Sequence, residues 1–375
     1  MIVAGETSGE LYGALLAEAL KKKVPHIRVI GIGGERMQAA GVELLSGIAS
    51  AFGLTEALSS IKALKETFRK ASDAFRQYRP SVVVLIDYPD FNLRLAAEAR
   101  KQNTPVLYYV SPQVWAWRQG RVKKIAKLVD RMAVILPFEE QIYRDYGLDA
   151  EFVGHPVLDE MRQIQPDKKQ LLAELGLDPD LQLISLLPGS RPHELERLLP
   201  LLLDTVRQAK SDLPGYQYCI PFAPNTNLIQ HKTLVDALQH EGVSINKGRS
   251  LKTLAASDCA VIASGTATLQ AVLLGLPLVV VYKLFPLSFW LARRIVKVKY
   301  ASLVNILSGR EVVRELLQKD ATVENIMFEL KRMINDTAYR SQMLKTYDDV
   351  RRLFSEKHAS DRVSDMVMEM AGWKK

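Results

Sequence analysis

The chain has 375 residues, of which 48% are hydrophobic and 25% are charged, values of a folded globular protein rather than a disordered or fibrous one. This length exceeds one ordinary hydrophobic core, so we expect two domains. The formal net charge of +8 favours an anionic partner, such as nucleic acid, a phosphorylated substrate or an acidic membrane face, without choosing among them.

The N-terminal half alternates short apolar runs with helical patterns. The predicted strands are 2–4, 27–30, 82–86, 106–110 and 132–136, and the predicted helices lie near 10–22, 54–77, 90–102 and 119–128. Continuous apolar strands that alternate with helices predict a parallel sheet covered on both faces.

A polar stretch after Phe152-Val-Gly-His-Pro156 predicts a domain boundary, and the alternation then begins again. The second set of predicted strands lies near 182–187, 217–221, 243–245, 260–263 and 278–282, and the region from about 322 to 371 is predicted to be helical. We therefore expect an α/β protein with two doubly wound, Rossmann-like domains, whose ligands bind in the cleft between them. The predicted divisions are an N-terminal domain over 1–165, a C-terminal domain over 166–345, and a helical tail over 346–375 that packs back on the N-terminal domain.

The cysteines and the N-terminus indicate a cytoplasmic protein. Cys219 and Cys259 lack metal-ligand spacing and lie in apolar surroundings, as expected of buried thiols in a reducing compartment. The first residues already form a strand and a turn, so no signal peptide is predicted. Residues 259–282 carry no charge, but Gly265 and Pro277 interrupt them, which favours strands and a short helix over a membrane span.

Two small-residue turns in the C-terminal half predict a phosphate site. Each follows an apolar strand and begins a helix, where backbone N–H groups point at one place. The first turn contains Gly189, Ser190 and Arg191, whose guanidinium binds phosphate oxygens in pairs, and the second contains the run Ser264, Gly265 and Thr266. Together they predict a nucleotide diphosphate held between neighbouring strands.

Ordered motifs along nearly the whole chain resemble those of the lipid-A-disaccharide synthases, glycosyltransferases of the GT-B type. The motifs are Gly5-Glu-Thr-Ser-Gly-Glu10, Ile86-Asp-Tyr-Pro-Asp-Phe-Asn92, Ser111-Pro-Gln-Val-Trp-Ala-Trp-Arg118, Leu136-Pro-Phe-Glu139, Phe152-Val-Gly-His-Pro156, Leu187-Pro-Gly-Ser-Arg191, Ala263-Ser-Gly-Thr-Ala-Thr268 and the run from Phe289-Trp-Leu-Ala292 to Asn305. The resemblance implies transfer of a sugar from UDP-2,3-diacylglucosamine to 2,3-diacylglucosamine 1-phosphate (lipid X), with inversion. The products are the β-1,6-linked disaccharide 1-phosphate and UDP, and no cofactor or metal is implied.

The resemblance assigns a general base to Asp87 or Asp90. Asp87 ends an apolar strand at the edge where ligands bind, and it is favoured as the base that deprotonates the acceptor's 6-hydroxyl. Asp90 follows Pro89 and is the better candidate for a helix cap. Arg191 would neutralise charge on the leaving UDP. His155 is interpreted as a structural histidine and not as the base.

Further residues are implied by the same resemblance to contact substrate or UDP. Ser8 and Gly9 form either a loop under the sugar or an ordinary turn. The positions Asn305, Glu315 and Gln318 match a family segment that closes over the nucleotide, against the alternative of an exposed helix face. Gln270 departs from the family's usual glutamate on the ribose hydroxyls. An amide loses the charge-assisted hydrogen bond, so the departure predicts weaker donor binding or service by another carboxylate.

Two basic amphipathic segments suggest contact with a membrane. The helix near 54–77 and the stretch 285–300 each combine apolar residues at helical spacing with lysines and arginines. An ordinary core helix with a solvated basic face is the alternative for the first of them. Because the implied substrates are diacylated, we expect attachment to anionic phospholipid at the cytoplasmic face of the inner membrane and no nucleic-acid partner.

Two other functions remain open at this stage. One keeps the fold and changes the reaction, as in a UDP-N-acetylglucosamine 2-epimerase or another UDP-sugar transferase. The other is a non-catalytic basic binding protein, which would need neither Asp87 nor the ordered nucleotide turns.

Overall fold

The computed structural model describes residues 1–47, 57–117, 119–162, 167–224, 226–285, 298–354 and 357–373. For Thr7 and for residues 57–61 only the backbone is described. The chain divides into two compact units, the first formed by Met1–Arg162 with Glu356–Lys375 and the second by Gln163–Ser355.

The first unit is a parallel sheet with helices between successive strands. Its strands are β1 (Ile2–Ala4), β2 (Ile30–Gly33), β3 (Glu43–Gly47), β4 (Val83–Ile86), β5 (Val106–Tyr109), β6 (Arg131–Val134) and β7 (Asp149–Phe152), in the spatial order β3-β2-β1-β4-β5-β6-β7. The helices described between them and after β7 are α1 (Thr7–Lys23), α2 (Glu35–Ala39), α3 (Ala57–Tyr78), α4 (Pro89–Lys101), α5 (Val122–Leu128), α6 (Glu139–Arg144) and α7 (Val157–Met161). The central strands β4 and β5 are buried throughout, which explains their unbroken apolar sequences.

The second strand lies three residues later than the predicted 27–30. Arg28 is exposed and pairs with Glu43 at 2.8 Å, whereas the strand proper includes two glycines. A Cβ on Gly31 would lie 2.0 Å from the carbonyl oxygen of Ile2 in β1, so the close approach of the two strands requires a glycine there. The predicted bounds were wrong because the apolar run ends at Ile30, whereas the strand continues through Gly31 and Gly33.

The second unit repeats the design with its own parallel sheet. Its strands are β8 (Gln182–Leu187), β9 (Tyr216–Phe222), β10 (Val243–Lys247), β11 (Cys259–Ala263), β12 (Leu278–Tyr282) and β13 (Glu315–Leu317), in the order β10-β9-β8-β11-β12-β13. The helices described here are α8 (Lys168–Glu174), α9 (Pro192–Asp212), α10 (Lys232–His240), α11 (Ser250–Ala256), α12 (Thr266–Leu274), α13 (Leu303–Ser308), α14 (Val323–Asn335) and α15 (Thr337–Arg352). Five of these strands match predicted ones, and β8 and β12 match them residue for residue.

The C-terminal segment returns to the first unit later than the predicted position 346. Helix α15 belongs to the second unit, where Tyr347 is fully buried and Arg351 Nε donates to the carbonyl oxygen of Leu273 at 2.9 Å. The last helix, α16 (Ala359–Met370), packs on α1, and Val363 and Met366 join the core of the first unit. Tertiary burial, and not a change of sequence pattern, decides where the tail begins.

Each sheet contains one point where the strand order reverses, between β1 and β4 in the first unit and between β8 and β11 in the second. In doubly wound sheets, ligands bind outside the carboxyl ends of the strands at such a point. The turns predicted to bind substrate follow β1, β4, β8 and β11, so both reversal points coincide with predicted site residues.

Candidate functional site

The carboxyl end of β4 is a strained turn that carries Asp87. Asp87 and Tyr88 have φ angles of 49° and 44°, in the left-handed region that residues other than glycine rarely adopt. The side chain of Asp87 is half-buried, whereas the strand before it is fully buried. Strain of this kind persists only where the surroundings enforce it, and it concentrates at functional sites.

Two side chains enforce the Asp87 turn. Asn92, fully buried in α4, donates through Nδ2 to the carbonyl oxygens of Ile86 at 3.1 Å and Asp87 at 2.7 Å. The hydroxyl of Tyr108 in β5 donates to the same Asp87 carbonyl oxygen at 2.5 Å. The backbone N–H of Asp87 is bonded to Tyr109 in β5 at 3.1 Å. The carboxylate is thereby aimed from a fixed backbone.

Asp90 has a different environment from Asp87. Its side chain is 77% exposed and pairs with Arg121 at 2.8 Å. Helix α4 begins at Pro89 with Tyr88 in the N-cap position, and no side chain caps it. The expectation that Asp90 caps this helix was therefore wrong. The helix starts at Pro89, directly after the left-handed turn, so the N-cap position falls on Tyr88, two residues before Asp90.

Ser8 and Gly9 lie in the first turn of α1 and not in a loop before it, since the helix begins at Thr7. Gly9 is buried, and a Cβ there would come 3.5 Å from the side chain of Ile86, directly before Asp87. Gly5 is closer still to the same turn, because a Cβ on it would lie 2.6 Å from the ring of Tyr88. The first glycine-rich motif thus packs against the strained turn.

His155 is a buried structural histidine. It is 1% exposed, its Nδ1 accepts from the N–H of Val157 at 3.2 Å, and its ring stacks edge-on against Tyr12. Burial lowers the pKa of His155 to about 3, so the ring is neutral at physiological pH. This agrees with the interpretation that it is not the base.

In the second unit, Glu194 closes the turn after β8. Its Oε2 accepts from the backbone N–H groups of Ser190 at 2.9 Å and Arg191 at 3.1 Å, and its side chain is buried. Gly189 has a φ of 96°, and a Cβ there would lie 2.2 Å from this carboxylate. Two of the N–H groups predicted to face a phosphate are therefore already bonded to Glu194. The motif Leu187–Arg191 ends before Glu194 and did not reveal these bonds.

The side chain of Arg191 is exposed at this turn, and it interacts with the hydroxyl of Tyr282 at the end of β12. Burial, together with the nearby Glu194 carboxylate, raises the pKa of Tyr282, while Arg191 acts in the opposite direction. Sequence reasoning missed Tyr282, and it missed the bonding of Glu194 to the backbone of the turn; the strand end at Tyr282 was the available signal.

The turn after β11 leaves space above a helix N-terminus. Helix α12 begins at Thr266, with Gly265 as its N-cap, no side-chain cap and no acidic residue in its first turn. A Cβ on the exposed Gly265 would meet nothing within 4 Å among the described residues. The hydroxyl of Ser264 donates to the carbonyl oxygen of Ala301 at 2.8 Å.

A buried amide and a carboxylate hold the segment that meets Ser264. Glu315, at the start of β13, accepts from the N–H groups of Ala301 at 2.8 Å and Ser302 at 2.9 Å and from Asn305 Nδ2 at 2.8 Å. Asn305 is fully buried, and its Oδ1 accepts from two backbone N–H groups, at 2.7 and 3.0 Å. Direct contact of Asn305 with a ligand does not fit this burial; the amide orders the turn instead.

Gln318 and Gln270 also lie at this edge of the sheet. Gln318 has a φ of 56° directly after β13, and its side chain pairs with both backbone polar groups of Leu284, at 2.7 and 3.3 Å. Glu315 lies in strand β13. Gln318 begins a short 3-10 helix, Gln318–Asp320, but it is half-buried and bonded to Leu284, so the alternative of an exposed helix face was wrong for both residues. Gln270 is 9% exposed on α12, one helix turn after Thr266.

Sequence relatives identify the family of this chain. The family model described as lipid-A-disaccharide synthetase matches residues 1–367. The lipid-A-disaccharide synthase of Myxococcus xanthus is 41% identical over 375 residues, covering 99% of this chain and 97% of that protein. The chain belongs to the lipid-A-disaccharide synthase family. The synthase of Syntrophus aciditrophicus is 40% identical over 372 residues, covering 99% of this chain and 97% of that one.

Solved structures with the same fold include enzymes of other activities. A UDP-GlcNAc 2-epimerase from Neisseria meningitidis, bound to UDP-GlcNAc, has a TM-score of 0.69 at 13% identity and covers 98% of each chain. MurG of Acinetobacter baumannii has a TM-score of 0.52 at 14% identity, covering 98% of this chain and 99% of that one. At such identities the likeness shows the fold alone and does not favour epimerase chemistry. Because this chain belongs to the lipid-A-disaccharide synthase family, it is a glycosyltransferase.

The apolar stripe of α3 is used within the first unit, as far as its side chains are described. Ala71 and Phe75 are buried, and Phe68 packs edge-on against Phe91 of α4. The exposed basic side chains of this helix and the residue after it are Lys62, Lys65, Arg69, Lys70, Arg76 and Arg79. Residues 54–56 of the predicted helix 54–77 lie outside the described residues, and the side chains of 57–61 are not described. Residues 286–297 of the second predicted segment also lie outside the described residues.

Among the described residues, no helix is both long and apolar enough to cross a membrane. The same part of the chain contains no group of three histidine, cysteine or acidic side chains placed to hold a metal ion.

Proposed function

We propose that this chain transfers 2,3-diacylglucosamine from UDP to the 6-hydroxyl of lipid X, with inversion at the anomeric carbon. The products are the β-1,6-linked disaccharide 1-phosphate and UDP. The observation that carries the proposal is the strained, enforced turn that presents Asp87 at the strand-order reversal of the first unit. Family membership supplies the substrates, because the relatives are lipid-A-disaccharide synthases.

In this proposal Asp87 is the general base. Its carboxylate accepts the proton of the acceptor's 6-hydroxyl as that oxygen bonds to the anomeric carbon, while the bond from that carbon to the phosphate oxygen breaks and UDP leaves with the electron pair. Asp87 is favoured over Asp90, because the Asp90 side chain is exposed and already paired with Arg121. Ser8 and Gly9 shape the floor of this site beside the Asp87 turn.

The second unit would bind UDP. Since Glu194 already accepts from the N–H groups of Ser190 and Arg191, the diphosphate would take its hydrogen bonds from the Arg191 guanidinium and from the first turn of α12 at Gly265 and Thr266. These donors would stabilise the charge that develops on the leaving UDP.

Other polar side chains would act around the nucleotide. Gln270 would face the ribose with an amide in place of the family's carboxylate. Asn305 and Glu315 would order the turn that touches Ser264, and Gln318 would fix Leu284, so these three act through backbone positions and not by direct contact with UDP.

We also propose that the chain associates with the cytoplasmic face of the inner membrane. The exposed lysines and arginines of α3 support electrostatic attraction to anionic phospholipid, which salt would weaken. Sedimentation with vesicles tests this. Binding to vesicles that contain anionic phospholipid at low salt, and not to zwitterionic vesicles, is expected; equal recovery in the supernatant with both would contradict it.

The decisive experiment is turnover of UDP-2,3-diacylglucosamine with lipid X, followed by UDP release and by mass spectrometry of the lipid product. A disaccharide 1-phosphate is the expected product. UDP binding without any disaccharide, or conversion of UDP-N-acetylglucosamine to its 2-epimer, would overturn the assignment.

A further inference from the structure

The loop that follows β5 is built around one buried carboxylate. Glu139, the first residue of α6, is 2% exposed. Its Oε1 accepts from the hydroxyl of Ser111 at 2.7 Å and from Nε1 of Trp115 at 3.0 Å, and its Oε2 accepts from the N–H of Leu136 at 3.2 Å. The motifs that begin at Ser111 and at Leu136 are thereby joined through a single side chain.

The loop enters this arrangement through a strained residue. Val110 has a φ of 65°, which is an outlier for a β-branched side chain, and it directly precedes Ser111. The ring of Trp115 also packs edge-on against Phe138, at 5.2 Å between centroids. The hydrogen bonds to Glu139 and the aromatic packing hold the loop 111–117 in place against the strain at Val110.

The position of the loop connects it with the Asp87 turn. Strand β5 lies next to β4, and both strands end at the same edge of the sheet. Tyr108 of β5 bonds to the Asp87 carbonyl oxygen, two residues before Val110. Trp117 ends the described part of the loop with 41% of its surface exposed. The loop therefore begins at the edge where the proposed base lies, and it carries an exposed aromatic side chain.

Burial of the ionised Glu139 carboxylate costs free energy of folding. Desolvation raises the pKa of Glu139 to about 7, against the opposing effect of the hydrogen bonds from Ser111, Trp115 and Leu136. The titratable side chain that faces it is Tyr143 of α6, whose pKa is raised by burial and by the Glu139 charge. An apolar residue would pack at lower cost, but it would not fix the donors of the loop in place.

We propose that Glu139 is a positioning residue that holds the loop 111–117, and with it Trp117, in the conformation that binds the acylated acceptor sugar. This rests on the proposed function, which makes the first unit the acceptor-binding unit. The ionised carboxylate has lone pairs for the donors of Ser111, Trp115 and Leu136. A protonated carboxyl or an amide carries a hydrogen at one of these positions, and that hydrogen would point at one of the donors.

The test compares Glu139→Gln with Trp115→Phe, which keeps an aromatic ring and removes only one donor. Each variant should raise the KM for lipid X by about tenfold, the effect expected from the loss of a hydrogen bond to a charged group, while UDP affinity stays unchanged. Glu140→Gln is the matched control, because Glu140 accepts from the N–H of Phe152 and pairs with Arg144, away from the loop. It should leave the KM unchanged.

Binding of lipid X without donor, followed by tryptophan fluorescence, separates this inference from the proposed function. If the wild-type chain binds lipid X but forms no disaccharide, the proposed function fails while the loop remains testable by binding. The wild-type affinity for lipid X should fall as the pH drops through about 7, and that dependence should vanish in Glu139→Gln. Unchanged lipid X binding in both variants, equal losses of UDP and lipid X binding, or the same loss in Glu140→Gln would each overturn the inference.

Discussion

At the reversal point of the first unit the chain turns through Asp87 and Tyr88, whereas at that of the second unit it turns through Gly189 and Gly265. The first turn keeps side chains in left-handed backbone and therefore needs outside support, from Asn92 and Tyr108 in this case. Glycine adopts left-handed backbone without strain, so the Gly189 turn needs no support on that account, although Glu194 accepts from the N–H groups of Ser190 and Arg191. We infer that backbone strain is tolerated where the fold must orient a particular side chain, here that of Asp87. Glycine is used where a ligand must come close to the backbone.

Removal of the Asp87 carboxylate tests the first half of this comparison with the largest expected effect. Asp87→Ala should lower kcat by about 10³-fold, within the range of general-base catalysis, and leave UDP affinity intact because UDP is assigned to the second unit. Turnover and UDP titration measure the two quantities. Asp90→Ala is the control and should retain most of the rate; the reverse ranking would move the base to Asp90.

The buried charge of Glu139 should make the stability of the first unit depend on pH. Its folded pKa of about 7 lies above the ordinary value of 4.5, so its contribution to stability is present below pH 4.5 and is lost as the pH rises through about 7. Relative to Glu139→Gln, the wild-type chain should lose about 3 kcal/mol of unfolding free energy between pH 4.5 and 8. Urea titrations of both proteins across this range measure it, and parallel curves would contradict the assignment.

Gly189 tests the second half of the comparison. Gly189→Ala combines a left-handed φ with a Cβ that would lie 2.2 Å from the Glu194 carboxylate, so it should cost about 2–3 kcal/mol and weaken UDP binding. Thermal unfolding and UDP titration follow both effects.

Gly215 is a matched control for Gly189. It has a φ of 90°, and a Cβ there would meet nothing within 4 Å among the described residues. Gly215→Ala should therefore cost only the backbone term, about 1 kcal/mol, and leave UDP affinity unchanged. If the two variants lost equal stability, the contact with Glu194 would carry no weight.

The support of the Asp87 turn should be measurable one hydrogen bond at a time. Tyr108→Phe removes a donor to the Asp87 carbonyl oxygen while Asn92 remains bonded to it, so we expect a loss of about 1 kcal/mol and a modest fall in kcat. Tyr109→Phe is the control, because the buried Tyr109 hydroxyl makes no hydrogen bond to the Asp87 turn within the described ranges. A fall in kcat with Tyr109→Phe, and not with Tyr108→Phe, would remove Tyr108 from the support of the turn.

Hydrophobic pattern alone determined most of the fold. Apolar runs separated by helical patterns located strands such as β1, β8 and β12 at their observed bounds, because strands buried on both faces leave an unbroken apolar signal. The strands that the pattern missed, β3, β7 and β13, are edge strands of their sheets. An edge strand is buried on fewer sides and includes polar residues, so its sequence resembles a loop.

The order of motifs along the chain likewise indicated which turns carry polar side chains and which family they belong to. Only the tertiary structure decided how those side chains are used. Glu139 meets Ser111 across 28 residues, and Asn305 meets Glu315 across ten. Whether a polar residue contacts a ligand or orders a neighbouring turn depends on burial and on partners remote in sequence. Local spacing records the backbone periodicity of an element, and it contains no information about which distant donor or acceptor a side chain will reach.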